Sequence, residues 1–79
     1  MCRKAYVQVT AVFDTEGNIT PEMILWEDGT VYQIDRITNV CKAASLKAGG
    51  AGIRYTCRID GKLTHLFLEG DRWFVEAKC

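Results

Sequence analysis

Between Ile53 and Lys78 the chain alternates apolar and polar side chains in three runs, broken by Asp60-Gly61 and by Gly70-Asp71. A period of two is the mark of a strand with one buried face, and such a dipeptide between two runs predicts a two-residue hairpin turn. Two-residue loops fix the register. Across the first turn Ile59 faces Lys62, Cys57 faces Thr64, Tyr55 faces Leu66 and Ile53 faces Leu68. Across the second, Glu69 faces Arg72, Leu68 faces Trp73, Leu66 faces Val75 and Thr64 faces Ala77. Successive side chains point to opposite sides of a strand, so these rows divide between two faces. The rows Ile53-Leu68-Trp73, Tyr55-Leu66-Val75 and Cys57-Thr64-Ala77 make a core face. The rows Arg54-Phe67-Phe74, Thr56-His65-Glu76 and Arg58-Leu63-Lys78 make a mixed one.

Upstream, Ala5 to Phe13 also alternates, with Val7, Val9, Ala11 and Phe13 against Tyr6, Gln8, Thr10 and Val12. Asp14 to Asn18 is a loop, reversed at Gly17-Asn18. Pro21 has no N–H for a ladder, so Ile19 to Pro21 reads as an edge or an irregular lead-in. Glu22 to Glu27 is the next strand, and Asp28-Gly29 predicts a third two-residue turn. That turn pairs Trp26 with Val31, Leu25 with Tyr32 and Met23 with Ile34. From Thr30 to Val40 the alternation slips at Asp35-Arg36, which predicts a β-bulge. Both faces of this hairpin are apolar near its turn, as a closing barrel or two packed sheets require. Lys42 to Gly52 breaks the pattern, and Ala43 to Ala48 predicts one or two helical turns stopped at Gly49. The expected fold is all-β: a five- to six-stranded antiparallel meander, a small SH3-like or OB-like half-open barrel. One short helical or irregular segment near residues 42–49 interrupts it.

Length and charge narrow the picture. A chain of 79 residues is one small β domain with a limited core, 1–79. Ten basic and ten acidic residues leave a formal net charge of zero, which opposes strong, salt-driven, non-specific nucleic-acid binding. The first residues lack the apolar h-region of a secretory signal, and no apolar run approaches the ~20 residues of a membrane helix. The expectation is a cytoplasmic protein with reduced cysteines and no membrane contact. Cys2, Cys41, Cys57 and Cys79 form no C-x-x-C motif, and Cys57 and His65 project from opposite faces. Neither a metal nor a cofactor is expected.

Candidate chemistry gathers on the mixed face. Phe67 and Phe74 beside Arg54 are either covered by another part of the chain, such as the N-terminal strand, or form an exposed platform. Such a platform suits a base, a peptide or a second subunit. Gly49, Gly50 and Gly52, flanked by Lys42, Lys47 and Arg54, offer freed backbone N–H groups to a phosphate. The alternative there is a helix stop and a connector, because the G-K-[ST] ending of a P-loop is missing. His65, Glu76 and Thr56 hold the residue types of a hydrolytic triad, but such cross-strand pairs are routine surface contacts, so no enzyme is expected. The leading expectation is a non-catalytic binding module that contacts a protein partner or forms a homodimer through the aromatic-basic face or an open edge strand. The alternative is single-stranded nucleic-acid binding, with Phe67 and Phe74 stacking on bases and Arg54, Arg58, Lys42 and Lys47 meeting phosphates.

Three stretches resemble a family of short uncharacterised bacterial proteins with no established activity. They are W-x-D-G-x-x-Y-x-I-D-R-I (Trp26 to Ile37), A-A-S-L-K-A-G-G-x-G-x-R-Y-x-C-R-I (Ala43 to Ile59) and R-W-F-V-E (Arg72 to Glu76). The order of Trp26, Tyr32, Tyr55 and Trp73 also resembles small β domains found beside translesion DNA polymerases. That second resemblance implies nucleic acid in the vicinity of the protein and no residue role.

Overall fold

The computed structural model describes residues 3–44 and 51–77. They form seven strands: β1 (Arg3–Phe13), β2 (Ile19–Leu25), β3 (Val31–Gln33), β4 (Arg36–Ala44), β5 (Ala51–Ile59), β6 (Lys62–Glu69) and β7 (Arg72–Ala77). Their order is β3-β2-β1-β7-β6-β5-β4, with every neighbouring pair antiparallel. The fold is all-β, a curled half-barrel, as the alternation predicts. No helix among the described residues is long and apolar enough to cross a membrane.

The extra strand comes from the slip at Asp35-Arg36. The amide of Ile34 donates to the Glu22 carbonyl in β2 at 2.9 Å, and the next amide, Asp35, donates to the Arg58 carbonyl in β5 at 2.8 Å. Consecutive residues thus bond to opposite ends of the strand order. One bent segment supplies both terminal strands, and the sheet has to curl. β1 is the second corner: Gln8 to Phe13 pair with β2, while Arg3 to Val7 pair with β7. The bulge itself falls at Thr38, between the pairs Ile37–Cys57 and Asn39–Thr56, where the Thr38 hydroxyl donates to the Thr56 carbonyl at 3.3 Å. A second bulge opposes Thr10 and Ala11, so Pro21 lies inside β2, beside an irregularity that tolerates its missing N–H.

The turns decide the registers. Asp60 and Gly61 both have positive φ, 51° and 74°, which is the requirement of a type I′ turn. The ladder from Ile59–Lys62 to Ile53–Leu68 follows as predicted. Gly70 has φ 63°, the position that a type II′ turn assigns to glycine, and the ladder runs from Glu69–Arg72 to Leu66–Val75. Asp28-Gly29 departs from expectation because only Gly29 has positive φ, 89°. Its amide donates to the Trp26 carbonyl at 3.0 Å, Trp26 donates to the Thr30 carbonyl at 2.8 Å, and the Asp28 carboxylate accepts from the Thr30 amide at 2.9 Å. The loop therefore has three residues, Glu27 to Gly29, with glycine in the left-handed position. The extra loop residue moves the ladder by one, to Leu25–Val31, Ile24–Tyr32 and Met23–Gln33. Ile24 and Tyr32 then face inward, and Leu25 and Val31 face solvent.

The predicted core face is the core. Tyr55, Cys57, Ile59, Leu66, Leu68 and Val75 are buried with Ala5 and Ile24. Ile53 and Trp73, expected to be buried with them, pack against this cluster but stay half-exposed near the rim. The helical expectation near 42–49 is corrected at its start. Lys42, Ala43 and Ala44 pair with Ile53, Gly52 and Ala51 as the end of β4. Residues 45–50 lie outside the described residues.

Candidate functional site

The ladders set Cys41, Arg54, Phe67, Phe74 and Tyr6 in one row across the outer face of β4, β5, β6, β7 and β1. Phe67 and Phe74 stack with centroids 4.9 Å apart and planes 5° from parallel. Their exposures are 2% and 0%, so they present no open platform. That expectation is corrected, and its alternative, cover from the N-terminal strand, is part of the reason. The Tyr6 ring meets Phe74 edge-on at 5.8 Å and 63°. The Lys4 ammonium lies 5.1 Å from the Phe74 centroid and bonds the Glu69 carboxylate at 3.1 Å. The Tyr6 hydroxyl donates to the same carboxylate at 3.1 Å, and the Arg72 guanidinium lies 3.6 Å over the Tyr6 ring. The hydrogen bond to Glu69 holds the Lys4 ammonium above its ordinary pKa. Polar tips here seal an aromatic pair with their apolar stems.

Arg54 is held in place within this row. Its Nη2 donates to Cys41 Sγ at 3.5 Å, and its Nε is buried without a hydrogen-bond partner among the described residues. Lys42 does not join it: Lys42 pairs with Ile53, so it has the parity of the inner face, whereas Arg54 has that of the outer. Lys47, Gly49 and Gly50 lie outside the described residues. Gly52 is no part of a cradle. A Cβ there would fall against the Leu68 carbonyl oxygen and within 3.2 Å of Glu69 Cα, so glycine serves the close approach of β5 and β6.

In the next row Thr56 is opposite His65, as predicted, with His65 exposed and Glu76 half-buried. Glu76 pairs in the ladder with Lys4. Beyond them Arg58 is opposite both Arg36 on β4 and Leu63 on β6. Both arginines are exposed, and neither meets a carboxylate among the described residues; Arg58 Nη1 donates to the Gly61 carbonyl at 3.2 Å. Leu63 is 62% exposed.

The half-barrel leaves a gap between its two ends. Among the described residues β4 pairs with β5 alone, and the first half of β2 with β1 alone. Between them runs a cleft that ends at Ile34 and Asp35, whose amides bond β2 and β5. One part, of about 500 Å³, has Ile19, Ile37, Val40, Ile53 and Tyr55 among its walls. It meets a second hollow of about 510 Å³ at Thr20 and Ile37. The Tyr55 hydroxyl crosses the cleft to donate to the Ile19 carbonyl at 2.8 Å. Val40 pairs with Tyr55 and so has inward parity, yet it is 51% exposed. Sequence periodicity misses this residue, because an apolar residue at an inward position reads as core until the gap beside it is known. No family model, no curated protein and no solved structure matches this chain.

Proposed function

We propose that this domain is a non-catalytic binding module that works by protein contact, a second copy of the chain adding to the open edge of β4. The observation that carries this reading is the unpaired side of that strand, nine residues long, beside an apolar cleft wall. An open edge of that length is a template for another strand, and backbone hydrogen bonds with alternate side-chain pockets are how such contacts bind. Two copies meet without net repulsion, since the formal charge is zero. A domain of this size also gains stability from self-association. The nucleic-acid reading is the weaker one, because Phe67 and Phe74 are buried and Tyr6 lies under Arg72.

Light scattering across a concentration series tests the reading. The wild type is expected to scatter as a dimer at low and high salt, and Val40→Lys, which puts an inward-pointing charge on the edge, as a folded monomer. Leu63→Lys, on the outer face, should leave the dimer intact. A wild type monomeric throughout, or a dimer indifferent to Val40→Lys, overturns the proposal. Tight, salt-sensitive binding of a single-stranded oligonucleotide by that monomer would point to the alternative.

A further inference from the structure

At the end of the barrel near the Asp60-Gly61 turn, the sheet leaves a cavity of about 580 Å³, away from the β4 edge. Its floor is the buried Ile24, Ile59 and Val75. Its walls include Trp26 and Tyr32, both half-buried, from the two sides of the β2–β3 hairpin. The three-residue loop brings them here: it turns Ile24 and Tyr32 inward and fixes the Trp26 backbone through its bond with Thr30. Neither the Trp26 indole N–H nor the Tyr32 hydroxyl has a hydrogen-bond partner among the described residues. The charges at the mouth balance. Asp60, in the left-handed position of the turn, is answered by Lys62, which faces Ile59 in the ladder and shares its inward parity. Arg3, opposite the wall residue Ala77, is held by Glu27, next to Trp26, through hydrogen bonds of 3.1 and 2.7 Å. Glu76 also borders the cavity, but it has outer parity and stands opposite Lys4 in the β1–β7 ladder.

We infer that this cavity binds a small neutral molecule, a ring compound apolar over most of its surface and carrying one hydroxyl or carbonyl. Burial of its ring against Ile24, Ile59 and Val75 supplies the driving force, in proportion to the apolar area removed from water. Trp26 and Tyr32 add offset or edge-on ring contacts. Their N–H and O–H are open to the ligand's one polar atom, so that it is not buried unpaired. A charged ligand gives up its hydration and finds no uncompensated opposite charge at the mouth. The volume is that of a small-ligand pocket. The site does not depend on the β4 contact: the two occupy different parts of the barrel and use different residues.

Two-dimensional amide NMR on the full chain tests it, with three probes that share one ring: naphthalene-2-methanol, 2-naphthoate and naphthalen-2-ylmethylammonium. The neutral alcohol is expected to move the Trp26 indole resonance and the Tyr32 and Thr64 amides in a saturable way, with the Trp73 indole as an unmoved control. Both ions should bind about tenfold more weakly. The balance at the mouth is tested by upsetting it from either side. Asp60→Asn, a residue type that the turn accepts, leaves Lys62 uncompensated and should strengthen 2-naphthoate several-fold without changing the alcohol. Lys62→Gln should do the same for the ammonium probe. The inference is overturned if the alcohol leaves the Trp26 indole unmoved or if either ion binds the wild type as tightly as the alcohol. It is overturned equally if neither substitution changes the ranking of the two ions.

Discussion

The Lys4 ammonium stands 5.1 Å from the centre of the Phe74 ring, although the lysine belongs to the first strand and the phenylalanine to the last. The β1–β7 ladder creates this contact by setting Tyr6 opposite Phe74 and Lys4 one row further along. From there Lys4 lies across the ring to reach Glu69. The contact turns a face that alternation alone leaves ambiguous into a second, smaller core.

Phe74→Ala should therefore behave as a core truncation. We expect a loss of about 3–5 kcal/mol in urea unfolding, the range for a buried aromatic. Phe67→Ala belongs in the same range, since the two rings are stacked and both buried. A loss below about 1 kcal/mol would mean that the rings are exposed in solution, and would reopen the stacking platform.

Gly52→Ala should be costly for a different reason. The added Cβ has backbone in its way, the Leu68 carbonyl, rather than the end of a flexible side chain. Relief requires β5 and β6 to part, breaking ladder bonds near Ile53–Leu68. We expect a fall of more than about 2 kcal/mol, beyond what a glycine-to-alanine change costs where only φ is unfavourable. A denaturation midpoint unchanged from the wild type would show that the strands yield freely there.

Much of this architecture was legible in the sequence, for physical reasons that also mark the limits. The Asp60-Gly61 and Gly70-Asp71 ladders follow from two-residue turns that admit one register each, so the core row Tyr55-Leu66-Val75 could be written down in advance. Asp28-Gly29 has the same composition as Asp60-Gly61 but a different loop. Whether aspartate enters the left-handed region depends on the strands the turn has to join, and a dipeptide does not record that. The slip at Asp35-Arg36 signalled a bend, and the bend proved to be the switch between two sheet edges. Cover of Phe67 and Phe74 by the N-terminal strand was legible as one of two alternatives; what decides between them is the pairing of β1 with β7, a contact between distant parts of the chain that periodicity does not record. Lys42 and Arg54 both flank the glycine stretch in sequence, but the bulge at Thr38 and the extension of β4 give them opposite parity.

Cys57 should be the slow thiol. It is fully buried, and burial pushes its pKa up to about 11 from an ordinary value of 9.0. The folded state holds this proton more tightly than the unfolded one. The contribution to stability is thus complete below pH 9 and is lost as pH rises towards 11. Alkylation of the native protein at pH 8, read by peptide mass spectrometry, should label the half-buried Cys41 well before Cys57. Alkaline unfolding should begin later in Cys57→Ala, once its lower starting stability is allowed for. Equal labelling rates for the two thiols in the folded state would contradict the burial of Cys57.

Tyr55 tests how the cleft is held. Its ring is part of the core and tilts against Trp73 at 5.4 Å, while its hydroxyl bonds the Ile19 carbonyl across the gap. Burial also raises the hydroxyl's pKa, so it stays protonated as a donor through neutral pH. Tyr55→Phe keeps the ring and removes that bond, which should cost about 0.5–1.5 kcal/mol. The loss should be local as well as global, since the bond ties the start of β2 to β5 where β2 has no partner but β1. Hydrogen exchange should accelerate at Asn18 to Thr20 and stay unchanged in the Asp60-Gly61 hairpin. If both regions exchange as in the wild type, the hydroxyl does not hold the cleft, and its width is set by the bulges at Thr38 and beside Pro21 alone.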